Sequence, residues 1–82
     1  MRVDDFLSTV GIIRRRTVAK EMATNGLIQV NGRPVKASYE VKFNDIIVIK
    51  GSHPFRAEVL DVPSGSVSKD VRGRYFKELE EL

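Results

Sequence analysis

The apolar residues near the start of the chain are spaced as in a short amphipathic helix. Val3, Phe6, Leu7 and Val10 follow one another at helical intervals, which places all four on one face. Gly11 comes next, and glycine readily takes the left-handed conformation in which many helices end. The pattern therefore predicts a first helix that ends before this glycine.

A second helix is predicted over residues 16–25, with Gly26 as its stop. Its apolar face is expected to contain four residues: Val18, Ala19, Met22 and Ala23. Arg16 and Lys20 are one turn apart on the other side of this helix, because successive residues are rotated by about 100°. Two cations placed in this way form a ridge suited to phosphate groups.

A β-hairpin is predicted immediately after the second helix. The dipeptide Asn31-Gly32 separates the short segments 27–30 and 33–36, and Asn-Gly favours the type I′ turn, which needs positive φ at both central residues. Pro34 has no N–H to donate to a neighbouring strand. The second strand of the hairpin is therefore expected at an edge of the sheet.

Two further β-type segments follow the hairpin. Asn44-Asp45 predicts a turn before residues 46–49, whose β-branched side chains are typical of a buried strand. Residues 55–62 alternate in part, with apolar side chains expected on one face. Among the aromatic residues, three are expected in the core: Phe6, Phe43 and Phe55.

The composition of the chain changes after Pro63. Residues 64–68 are typical of a linker, and residues 74–82 could form a terminal helix if they dock on the rest of the chain. We therefore predict a folded domain over residues 1–62 and a linker with a C-terminal tail over residues 63–82.

Positive charge is concentrated in the first half of the chain. Residues 1–42 carry eight Lys or Arg and four Asp or Glu, whereas residues 43–82 carry six and seven. The stretch from Arg14 to Lys36 contains one acid, Glu21. Its six cations are Arg14, Arg15, Arg16, Lys20, Arg33 and Lys36. This asymmetry indicates a polyanion-binding half, with a solvated basic face that has no partner as the alternative.

The residue types that enzymes and metal sites need are poorly represented. The chain has no cysteine, and its one histidine, His53, lies in a Gly/Ser/Pro loop. It contains neither an HExxH motif nor a glycine-rich phosphate loop. We therefore expect no catalytic residue, no metal and no cofactor.

Membrane association and export are also not expected. No apolar run approaches the roughly 20 residues that cross a bilayer, and the N-terminal MRVDDFLSTV lacks the apolar core of a signal peptide. Together with the absence of cysteine, these features fit a cytoplasmic protein.

Nucleic-acid binding is better supported, because it needs cations on a rigid frame. The Arg16/Lys20 ridge beside Arg33 and Lys36 offers such a frame. Few aromatic residues are left over for base stacking, which favours recognition of folded RNA over single strands. Two alternatives remain open: a DNA-binding regulator of helix-turn-helix type, and a protein-interaction adaptor whose basic face aids solubility.

Three motifs resemble the RNA-binding domain named after small-subunit ribosomal protein S-four. They are the segment RVDDFL at residues 2–7 followed by Gly11, the pair Arg16 and Ala19, and the segment GLIQVNG at residues 26–32. The family pattern is R-L-D-x-x-L, a glycine, S-R-x-x-A and G-x-V-x-V-N-G. Two departures are Arg15 in place of serine and Asn44 in place of glycine.

The resemblance implies an α+β fold, with two N-terminal helices packed on a small, strongly bent antiparallel sheet (the αL RNA-binding fold). It also implies that Arg2 and Arg16 are the principal RNA contacts. As a free-standing domain of this length, the chain resembles those members of the family that bind ribosomal RNA and tRNA on the large ribosomal subunit. The resemblance implies a role in rescue or quality control of stalled translation. We expect the chain to act as a monomer.

Overall fold

Two short helices precede an antiparallel sheet in the computed structural model, which describes residues 1–65 and 67–79. The helices are α1 (Val3–Thr9) and α2 (Arg16–Thr24). The strands are β1 (Ile28–Val30), β2 (Arg33–Pro34), β3 (Ile46–Ile49), β4 (Phe55–Val59) and β5 (Phe76–Glu78), with a 3-10 helix at Lys69–Arg74. The α+β class is confirmed.

Helix α1 supplies much of the core, as its spacing predicts. Val3, Phe6 and Leu7 are completely buried, and Val10, which caps the helix, is almost completely buried. The chain reverses at Gly11, where φ is 82°. The first helix and its stop are therefore confirmed.

Helix α2 packs through a narrower face than its sequence indicates. Ala19 and Ala23 are buried, and Met22 is partly buried against the core. Val18 was expected on this face, but 41% of its surface is exposed. The reason is geometric: Val18 is rotated by about 100° from Ala19, which places it on the flank of the alanine stripe.

The strands occur in the order β2-β1-β3-β4-β5, and every pairing is antiparallel. Strand β2, which contains Pro34, lies at an edge as predicted. The hairpin turn is also confirmed, because φ is 54° at Asn31 and 84° at Gly32. Ile47 of the central strand β3 is completely buried between Val30 and Ala57.

A buried carboxylate connects the hairpin turn to the start of β3. Asp45 accepts hydrogen bonds from the Tyr39 hydroxyl (2.9 Å), the Asn31 side-chain amide (3.0 Å) and the Lys42 backbone N–H (2.9 Å). Oδ1 of Asn31 in turn accepts a hydrogen bond from the Ile46 backbone N–H at 3.0 Å. Asn31 thus shapes the turn and fixes it to the next strand.

The position of Phe43 differs from the core position expected for it. Its side chain is 65% exposed, whereas Val41 and Asp45 on either side are buried. A hydrogen bond from the Asp45 N–H to the Lys42 carbonyl closes a turn over residues 42–45, and in this turn Phe43 points away from the core. Phe6 is buried as expected, and Phe55 is partly buried against the core.

The C-terminal tail adds a strand, β5, within the range in which the sequence allowed a terminal helix. Phe76 pairs with Val59 across β5 and β4, and its ring meets that of Phe55 edge to face at 6.2 Å. An isolated helix this short gains little stability, whereas pairing satisfies the open edge of β4. The part of the helix expected over residues 80–82 lies outside the described residues.

The 3-10 helix before β5 also contacts the body of the fold. A β-carbon placed on Gly11 would lie 2.8 Å from Nη1 of Arg72, so the arginine packs against the α1–α2 connection. Residues 71–79 therefore share contacts with residues 1–62, while the division of the chain at residue 62 stays a prediction about folding units.

Replacing Gly32 with valine should lower stability by about 1–3 kcal/mol, because a β-branched residue is strained at positive φ. Apart from the two chain neighbours, no atom lies within 4 Å of the position of the added β-carbon, so backbone strain is the main expected cost. Gly65→Val is the matched control, since Gly65 is also open but lies outside the left-handed region. Thermal unfolding followed by circular dichroism measures both, and an unchanged melting temperature for Gly32→Val would contradict the turn assignment.

Alkaline pH should weaken the Asp45 network through Tyr39. Burial, and then the hydrogen bond and negative charge of Asp45, raise the pKa of Tyr39 above its ordinary 10.0. The folded state thus favours the neutral phenol, so this contribution is complete below pH 10.0 and is lost as pH rises through the folded pKa. Urea unfolding across this range should show a smaller alkaline loss of unfolding free energy for Tyr39→Phe than for the wild type. Equal losses in the two proteins would exclude the coupling.

Candidate nucleic-acid interface

Arg2 and Arg16, which are 14 residues apart, meet at a single buried carboxylate. Oδ1 of Asp4 lies 3.2 Å from Nε of Arg2, and Oδ2 accepts a hydrogen bond from Nη2 of the same arginine at 3.2 Å. Nε of Arg16 lies 3.4 Å from Oδ2. The structure thus brings together the two arginines that the family resemblance singles out.

The local fold explains this meeting. Arg2 precedes the first residue of α1, and its backbone forms a bridge with Glu40, which fixes the start of the helix. Arg16 is the first residue of α2. Because α1 and α2 pack on each other, the two helix starts and their arginines come within reach of Asp4.

Both arginine side chains remain partly exposed. The side chains of Arg2 and Arg16 are 41% and 50% exposed, against 1% for Asp4. Each arginine can therefore bind the carboxylate on one side and present unused N–H groups to an anion on the other. One acid between two arginines also leaves a net positive charge.

Two adjoining grooves extend from this cluster. The first is lined by Arg2, Asp4, Arg16, Thr17 and Lys20. The second lies between α2 and the segment after β2, and its cationic lining residues are Arg2, Lys20 and Lys36. Arg2 and Lys20 belong to both grooves. We call the four cations Arg2, Arg16, Lys20 and Lys36 the basic face.

The other three predicted site residues lie outside these grooves. Arg14 and Arg15 are exposed in the connection before α2, and Arg33 is exposed on β2 opposite Val30. The neighbour of Arg33, Pro34, lines the second groove, so Arg33 flanks the basic face. The structure therefore groups four of the seven predicted residues and leaves three at the periphery or beyond.

The start of α2 adds further positive potential to the first groove. This helix begins without a side-chain cap and has no acid in its first turn. The positive end of its dipole and its free N–H groups are thus not neutralised by its own side chains. Such an end favours an anion beside Arg16.

Asp4 is the site residue that sequence reasoning did not identify. Asp4 and Asp5 both lie in the first turn of α1, where acids favour the positive end of the helix dipole, so their position does not distinguish them. One signal was available: Asp4 precedes the buried Leu7 by three residues, so it lies at the border of the apolar stripe. Its partner Arg16 comes from another helix and has no local signature.

Residues 1–65 and 67–79 contain neither a candidate metal site nor a membrane-spanning helix. No group of three or more His, Cys, Asp or Glu side chains there could hold a metal ion. No helix in those ranges is long and apolar enough to cross a bilayer. His53, the one histidine, is exposed in the loop before β4.

Comparison with known proteins identifies the family. Residues 1–47 match the family model of the S4 domain, the S-four domain introduced above. This match covers more than half of the chain and includes all four residues of the basic face. The chain belongs to the S4 domain family.

Individual relatives extend the likeness of this S4-domain protein to nearly its whole length. The RQC P-site tRNA stabilizing factor of Streptococcus pneumoniae is 41% identical over 76 residues, which covers 92% of this chain and 86% of the relative. The protein of the same name from Halalkalibacterium halodurans is 38% identical over 82 residues, or 100% and 89% of the two chains.

A solved structure supports the fold independently. Heat shock protein 15 of Vibrio cholerae, which was solved as a trimer, superposes with a TM-score of 0.87. The superposition covers 96% of this chain and 81% of the other, at 19% sequence identity. At that identity the likeness concerns the fold alone.

Replacing either Arg2 or Arg16 with alanine should weaken the affinity for structured RNA by about 1–3 kcal/mol, which is the usual range for a lost charged hydrogen bond. The two losses should not add, because both arginines contact Asp4. Lysine should rescue only in part, since it keeps the charge but lacks the planar fork.

A double-mutant cycle on RNA affinity tests this, with circular dichroism to confirm folding. Lys50→Ala is the control, because it removes an exposed cation outside both grooves. If the folded Arg2→Ala, Arg16→Ala double variant bound RNA like the wild type, both arginines would be merely solvated charges.

Proposed function

We propose that this S4-domain protein is a non-catalytic RNA-binding protein that binds ribosomal RNA and tRNA on the large ribosomal subunit. Its proposed role is in rescue or quality control of stalled translation, in the cytoplasm. The observation that carries the proposal is the basic face, in which four cations surround two adjoining grooves. The relatives named RQC P-site tRNA stabilizing factor support the ribosomal role.

The lining of the grooves favours phosphates over bases as the bound groups. In the described part of the chain, no aromatic side chain lines either groove. Base stacking therefore has no platform there, whereas guanidinium and ammonium groups match phosphate oxygens. Recognition by backbone and shape is the mode expected for folded RNA.

The peripheral cations are proposed to extend this contact. Arg14, Arg15 and Arg33 are exposed and flank the basic face in sequence or across the hairpin. We assign them weaker phosphate contacts, because no acid holds their side chains in place in the described residues. We further propose that one chain acts alone, since the basic face is assembled within a single chain.

Salt dependence tests the phosphate model directly. If about four to six phosphates are neutralised, log K for tRNA should fall with log salt at a slope of about −3 to −5. Filter binding at several salt concentrations measures the slope. The same assay with duplex DNA of similar length, and with no nucleic acid as the blank, separates the three candidate functions. A DNA-binding regulator would prefer the duplex, and a protein adaptor would bind neither nucleic acid above the blank. A slope near zero would exclude the phosphate model.

Crosslinking in cells, followed by sequencing of the attached RNA, tests the ribosomal assignment. We expect reads from large-subunit ribosomal RNA and from tRNA, and we expect them to decrease in the Arg2→Ala, Arg16→Ala variant. Lys50→Ala serves again as the control for a lost cation. Reads dominated by messenger RNA, or unaffected by the double substitution, would contradict the proposed function.

A further inference from the structure

We propose that Asp4 is a positioning residue of the RNA interface, which orients the guanidinium groups of Arg2 and Arg16 before RNA binds. The inference rests on the proposed function. It assigns a role in RNA binding to an acidic side chain, although acids ordinarily repel phosphate. The partner chemistry is unchanged: a phosphate of folded RNA in the first groove.

The contacts of Asp4 show why the carboxylate is held so firmly. Oδ1 accepts a hydrogen bond from the backbone N–H of Asp5 at 2.8 Å and lies 3.2 Å from Nε of Arg2. Oδ2 accepts a hydrogen bond from Nη2 of Arg2 at 3.2 Å and lies 3.4 Å from Nε of Arg16. A charge this deeply buried is costly unless it is paired. The two arginines compensate it, and their positions are therefore coupled to the core of the protein.

This arrangement prepares the arginines for binding. An unrestrained arginine side chain loses rotamer freedom when it binds an anion, and that entropy loss weakens binding. Arg2 and Arg16 have already lost part of this freedom in the free protein, because one buried carboxylate contacts both. Their exposed portions line the first groove, beside Lys20.

The sign of a charge-neutralising substitution separates positioning from simple electrostatics. Asp4→Asn removes a negative charge next to the groove, so electrostatics alone predicts tighter RNA binding. The asparagine oxygen can still accept the Asp5 N–H, but its NH₂ group cannot pair with a guanidinium group. Positioning therefore predicts weaker binding despite the more favourable net charge.

Asp5→Asn is a closely matched control. Asp5 lies in the same first turn of α1 and its loss changes the net charge by the same amount. Its side chain accepts a hydrogen bond from the Thr9 hydroxyl at 3.3 Å and pairs with no arginine in the described residues. If Asp4 acted only through the helix dipole, Asp5 would have the same effect, because both lie in the first turn of α1.

The experiment measures the affinity of the full chain for bulk bacterial tRNA at low salt. Asp4→Asn should bind about tenfold more weakly or worse, as for loss of a charged hydrogen bond. Asp5→Asn should bind as tightly as the wild type or slightly tighter. An Asp4→Asn protein that is folded and binds as tightly as Asp5→Asn would overturn the proposal.

A measurement on the free protein decides the question if Asp4→Asn fails to fold or if the wild type fails to bind tRNA. In ¹⁵N spectra, the Nε–H signals of Arg2 and Arg16 should be dispersed from that of exposed Arg14, because the Asp4 carboxylate lies 3.2 Å and 3.4 Å from these two atoms. Asp5→Asn should leave both signals in place. Failure of tRNA binding would refute the proposed function, whereas averaged signals for Arg2 and Arg16 would refute the positioning role.

Discussion

The burial of helix α1 is the constraint on which both the core and the basic face depend. Val3, Phe6 and Leu7 are removed from water together, because they share one face of the helix and are all completely buried. The same rotation of the helix that buries these residues also buries Asp4. A carboxylate in that position requires cations, and Arg2 and Arg16 supply them. The apolar core thus determines where the basic face forms.

The features that could be predicted from sequence are those with local causes. The spacing of Val3, Phe6 and Leu7 defines a helical face whatever the rest of the chain does. The Asn31-Gly32 turn follows from the need for positive φ at adjacent residues, and the edge position of Pro34 follows from its missing N–H. The charge asymmetry located the candidate site but could not show which cations converge.

Two of the three features that differed from expectation depend on contacts distant in sequence. Phe43 is exposed because the turn fixed by Asp45 directs it outward. The tail forms a strand because β4 offers it an open edge and Phe55 offers it an aromatic contact. The role of Asp4 was likewise invisible, since its contact with Arg16 joins two helices. Neither the pairing of the tail with β4 nor the contact between Asp4 and Arg16 has a signature in the local pattern.

The central claim is that the basic face is where RNA binds. Titration of the ¹⁵N-labelled chain with tRNA, followed by backbone and arginine side-chain NMR signals, tests it most directly. We predict that the largest shifts cluster at Arg2, Arg16, Lys20 and Lys36, and that β5 and the turn at Phe43 are little affected. Shifts that centre on Phe43 or on β5, with the basic face unchanged, would contradict the account.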